Sequence, residues 1–219
     1  MSRMFISPAT GRTGAHAHAH ALGLALAALG AALLLMPTLA LAHGSGKGAG
    51  SFFSGAVHPL REPAHALALM TLGLWTGQRG IDESHPSLPC FGLALLLCLR
   101  LASTGINLDV DFALYVAAAT MGIAVAISMK VPTLVRASVA GLVGAGIGLG
   151  SRPDGLVGAA LTPPMSGTAI GACLWLLNAV ALAALMQRPV WNIGVRVLGS
   201  WLAASALLVM ALSLAGRPV

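Results

Sequence analysis

Beyond about residue 50 the chain is a succession of apolar stretches cut by short polar links. The pattern counts out six segments, over roughly residues 64–78, 88–105, 111–129, 133–150, 165–187 and 193–215. A hydrocarbon core about 30 Å thick asks for ~20 apolar residues per helix. Backbone groups in lipid must be paired within their own segment, so stretches of this kind read as helices. The predicted fold is therefore all-α: a polytopic membrane helix bundle with six transmembrane helices. Gly73 with Gly77, Gly144 with Gly148, Gly146 with Gly150, and Gly167 with Gly171 recur at four-residue spacing. Pairs of this kind let two helix backbones approach closely, so they are expected at helix contacts. The segment Ala140–Gly150 holds so many glycines that it must be covered by neighbours, because each exposed Gly weakens a helix.

A separate unit precedes these segments. Arg3 and Arg12 lead into an apolar run from Ala21 to about Leu35, then Pro37, then the small-residue end Leu39-Ala40-Leu41-Ala42. Charged, apolar and small-residue regions in that order describe a secretory signal peptide, with cleavage after Ala42. The competing reading is an uncleaved first helix from Ala17 to Ala42. The chain thus divides into a signal (1–42), a Gly-rich link and half-helix (43–63) and a six-helix transmembrane domain (64–219). His16, His18 and His20 would leave with the signal.

Composition supports the membrane reading, since 57% of the 219 residues are hydrophobic and only 8% charged, a balance that soluble domains do not have. The formal charge of +6 comes from single Lys and Arg residues with few aromatics among them, which leaves no footprint for nucleic acid. With the mature N-terminus outside, the inner loops hold Arg79, Lys130, Arg136, Arg188 and Arg196. The outer ones hold Lys47, Arg61, Arg152 and Arg217, a bias with the positive-inside sign. Arg100 falls near the outer end of its span, where a long side chain snorkels to the interface. Cys90, Cys98 and Cys173 form no paired motif and read as buried small hydrophobes.

The segment Ser51–Gln78 is the unusual one. Pro59 and Pro63 lie near its middle, and a proline inside a helix removes a hydrogen bond and clashes with the carbonyl four residues earlier. A short half-helix from Ser51 to Val57, a non-helical link and a span starting at about Pro63 are expected. His58 and His65 flank that break. Ionisable groups at membrane depth are unfavourable, which marks them as functional candidates, and broken helices are where transporters hold ions. Glu62 lies one turn away and offers oxygen; His43, near the same outer face, is a secondary ligand candidate. Two imidazoles and a carboxylate suit a borderline divalent ion such as nickel, cobalt, copper or zinc. His85, Asp82 and Glu83 share an inner loop and read as solvated. Asp109 and Asp111 sit before the third span as solvated boundary residues or a cation lure.

The order of these features resembles the HupE/UreJ family, membrane accessory proteins of nickel hydrogenases and ureases regarded as nickel or cobalt permeases. The likeness lies in a signal ending Ala42-His43, a Gly-rich link, Phe52 or Phe53 with Gly55, His58 and Pro59, and six spans. The family's first motif, H-x-x-x-x-x-D-H, matches at His58 and His65 and continues to Gly73-Leu74-Trp75. Its aspartate is replaced by Ala64. A second motif, F-H-G-x-A-H-G-x-E, aligns with Leu142–Gly150, where Gly144 and Gly148 match while both histidines and the glutamate are gone. The resemblance implies transport of nickel or cobalt across the bacterial inner membrane by a multi-pass protein, with His58, His65 and Glu62 as metal ligands and no covalent cofactor.

The losses keep a second expectation open: a non-transporting accessory protein that assists assembly of a metalloenzyme or transporter. Its glycine-rich faces would then receive a partner or a second copy of the chain. No nucleophile with its base, phosphate loop or paired intramembrane carboxylate is found, so an enzyme is not expected.

Overall fold

The computed structural model describes residues 49–80, 84–106, 108–153 and 155–216. The signal segment 1–42, His43, Asp82 and Glu83 lie outside the described residues. Among those described, the chain forms seven α-helices and no strand: α1 (Ala49–Arg61), α2 (Pro63–Gly77), α3 (Ser87–Ala102), α4 (Asp111–Ala126), α5 (Thr133–Gly150), α6 (Thr162–Leu185) and α7 (Pro189–Leu214). A single 3₁₀ turn, Gly158–Leu161, leads into α6.

Prolines start several of these helices. Pro63 opens α2, and α6 and α7 also carry Pro in their first turn, where the missing N–H has no intrahelical acceptor to lose. Glu62 precedes α2 with extended backbone (φ −87°, ψ 112°) and turns the chain between α1 and α2. At the far end of α2, Gly80 takes φ +98°, a left-handed conformation that glycine adopts without steric penalty.

The break differs from its predicted form. α1 runs helically through Pro59 to Arg61 instead of stopping at Val57, and the expected link shrinks to Glu62. Pro59 has no N–H to give to the carbonyl of Gly55, one turn back. Thr168 on α6 supplies a hydroxyl donor to that oxygen at 3.2 Å, shared with the Pro164 carbonyl at 3.1 Å. A partner helix thus offsets the lost bond, and the helix continues.

Three segments meet the length and apolarity of a membrane crossing: Thr133–Gly150, Gly158–Leu185 and Val190–Leu214. The helices α3 and α4 are apolar but 16 residues long, and α2 has 15. At 1.5 Å per residue these span about 22–24 Å. Among the described residues three helices thus reach the length of a full crossing, and α2, α3 and α4 are shorter apolar helices packed with them.

Helix α2 is the centre. It packs on α4 and α6, with lighter contacts to α1, α5 and α7, while α3 pairs with α5, α4 with α7 and α1 with α6. The small-residue pairs lie at these contacts. A methyl group placed on Gly167 or Gly171 would strike the α1 backbone at Phe52 and Ala56, and one on Gly144 or Gly148 would strike α3. The large outward side chains, among them Leu97, Leu142 and Trp201, are exposed and form the lipid-facing belt that a membrane bundle presents. Cys90 is exposed, and Cys98 and Cys173 are half-buried. The expected burial of all three is thus not found, because an outward cysteine meets lipid as readily as protein.

The two ends of the bundle differ. At one end Gln78 on α2 donates through Nε2 to the Val125 carbonyl (3.2 Å), Ser128 Oγ (3.1 Å) and Asn192 Oδ1 (3.3 Å), joining α2, α4 and α7. Arg196 Nε reaches the Ala126 carbonyl beside it at 2.7 Å. Arg79, Lys130 and Arg188 flank this cluster in sequence. The opposite end collects the bend at Glu62, the start of α4 and the ends of α5 and α7.

Candidate metal site

The bend puts one histidine on each arm. His58 lies in the last turn of α1, and His65 lies in the first turn of α2. Their rings stand 5.7 Å apart between centroids, inclined at 79°. His65 is 1% exposed, and His58 is half-buried. Sequence spacing alone does not fix this meeting. It needs the turn at Glu62, which folds the end of one helix over the start of the next.

Three ring nitrogens in the pair have no hydrogen-bond partner: His58 Nε2 and both Nδ1 and Nε2 of His65. Buried polar atoms are nearly always satisfied, and a cluster that is not calls for an explanation such as an ion. With a metal–nitrogen bond of about 2.0–2.1 Å, two imidazoles on one ion hold their centroids roughly 5 to 6.5 Å apart. The observed separation falls in that range.

Glu62 takes a different position from the rings. It lines a cleft of about 270 Å³ together with Asp109, Asp111, Tyr115 and Ser213, beside the pair. Glu62, Arg61 and Asp111 all lie within electrostatic reach of His58, two carboxylates against one guanidinium. Among the described residues no group of three or more His, Cys, Asp or Glu side chains is arranged to hold a metal ion. The structure joins His58 to His65 and leaves Glu62 facing the cleft. Asp109 and Asp111, read from sequence as boundary residues, become part of the site's surroundings because α4 packs against α2. Their place at the start of α4 is legible in the sequence, but their nearness to Glu62 is tertiary.

On the other side of the pair stands Gly150, the last residue of α5. A methyl group built on it would sit 3.2 Å from His65 Nε2 and 3.1 Å from Val110. The absence of a side chain there leaves the ring its room.

The family model described as HupE / UreJ protein matches residues 31–209, most of the chain. The chain belongs to the HupE/UreJ family. No curated protein and no solved structure matches it. Family membership and the long apolar helices together make it a membrane protein. Gly150 closes the glycine-rich segment of α5, so that segment, some 85 residues from His65 in sequence, adjoins the histidine pair in space.

Proposed function

We propose that this protein is a permease for a divalent transition metal, nickel or cobalt, taken up across the bacterial inner membrane. The observation that carries the reading is the pair of facing imidazoles with three unpartnered nitrogens. Neutral imidazole is a good donor to borderline divalent ions of this kind. Glu62, Asp109 and Asp111 draw the hydrated cation into the cleft, and the ion exchanges water for nitrogen as it reaches His58 and His65. Water fills the remaining coordination positions. A site of two imidazoles holds its ion loosely, as conduction requires, because a transported ion must also leave.

Uptake of radiolabelled nickel or cobalt by cells or proteoliposomes tests this. Alanine at His65 is expected to reduce uptake to background, and the same substitution at His58 to lower it strongly. Uptake unchanged in His65→Ala would end the proposal.

One observation favours the second reading, a non-transporting accessory protein. No third ligand joins the pair among the described residues, and the second motif has lost its metal-binding side chains. That reading expects no metal-dependent uptake by the wild type and co-purification with a metalloenzyme or transporter partner. Metal uptake by the pure protein in liposomes decides against it.

A further inference from the structure

Helix α3 packs mainly on α5, whereas α6 packs mainly on α1 and α2. Between α3 and α6 the bundle therefore leaves a groove of about 490 Å³, distinct from the histidine site. Its walls are apolar, with Leu96 and Leu99 from α3 facing Met165 and Ala169 from α6. Its polar lining is Arg100, Ser103, Thr162 and Ser166. Arg100 is the one charge in the lining, and no carboxylate joins it there.

The groove is built by particular residues. Gly158 takes φ +60° at the start of the turn that leads into α6. Arg100 is exposed two residues before the end of α3, and a guanidinium at the end of a membrane helix reaches toward the headgroup layer. The Ser103 hydroxyl is turned back to the Arg100 carbonyl at 2.6 Å, which leaves the guanidinium as the strongest donor at the rim. Below it, Leu96 is 57% exposed and Leu97 and Leu93 each 62%, so the apolar wall runs on along the lipid-facing side of α3. A cationic fork above an apolar trough that opens to the bilayer matches an anionic headgroup joined to an acyl chain. A free anion would match the fork alone.

We propose that this groove binds one anionic phospholipid, its phosphodiester on Arg100 and an acyl chain along Leu96 and Leu99. Arginine suits a phosphate oxygen pair because its donors form a planar fork.

The test uses the full protein purified in detergent, with dioleoylphosphatidylglycerol or dioleoylphosphatidylcholine added and bound lipid counted by native mass spectrometry. Both lipids carry the phosphodiester, but the choline ammonium of the second opposes the Arg100 guanidinium, so the wild type is expected to prefer the anionic lipid roughly tenfold, the scale of one charge contact near the protein surface. Arg100→Gln is expected to lose that preference, while Arg188→Gln, at the opposite end of the bundle, keeps it. Ala169→Phe, which fills the groove without altering charge, is expected to weaken retention of the anionic lipid as well. Equal retention of both lipids by the wild type would overturn the proposal, as would an undiminished preference in Arg100→Gln. Displacement of the lipid by millimolar inorganic phosphate would overturn it too, by identifying a free-anion site.

Discussion

Single atoms decide what the histidine pair can do. The two rings offer nitrogens that no protein donor or acceptor engages, and Gly150 leaves His65 its space by lacking a Cβ. Contacts of 3.1–3.2 Å to an added methyl group are tight enough that either Val110 or the imidazole has to move. Gly150→Ala is therefore expected to shift the His65 ring and weaken metal binding roughly tenfold, the scale seen when a ligand loses its orienting support. Equilibrium dialysis of nickel or cobalt against the purified variant measures it. Gly92→Ala serves as the control, since nothing lies within 4 Å of a methyl group placed there.

Among the elements, α1 depends most on a neighbour. Its last turn contains Pro59 and carries His58, and the Gly55 carbonyl left without its amide is met by Thr168. Thr168→Val is expected to lower stability by about 1 kcal/mol, near the upper part of the range for interhelical hydrogen bonds in lipid. Pro59→Ala restores the amide donor, so Thr168→Val should have a smaller effect in that background. Thermal unfolding of the four members of this cycle gives the coupling directly. This dependence also explains what sequence could and could not reveal. The predicted segments 64–78, 111–129 and 133–150 lie within a few residues of α2, α4 and α5, because apolar runs bounded by Pro, Gly and charge mark helices locally. The glycine pairs were legible for the same reason. The length of α1 was not, because the group that lets it pass Pro59 comes from a residue more than a hundred positions away. Likewise the histidine spacing around a proline break was legible as a candidate, whereas the approach of Asp111 and Gly150 to the pair depends on how α4 and α5 pack.

For the molecule as a whole, the bundle has two unlike ends joined by α2. Gln78 fastens three helices at the end away from the histidines, and Ser128 within that cluster takes φ 51°, an unfavourable conformation for a residue with a side chain. Strain of this kind persists only where surrounding contacts hold it. Gln78→Leu is expected to release it. Hydrogen exchange near Ser128 and Asn192 should quicken, while metal binding at the far end stays as in the wild type. Slower or unchanged exchange there would show that the cluster is not what closes that end.

The two imidazoles ride on separate arms that meet at Glu62, like the jaws of forceps sharing a pivot. His58 is four residues from that pivot, an arm of about 6 Å, so opening the angle by ~10° carries its ring roughly 1 Å away from its counterpart. Ligand distances tolerate departures of only about 0.2 Å. A modest flexing at one residue would thus be enough to part the two rings, and α6, which packs against both arms, is what holds them at their observed spacing.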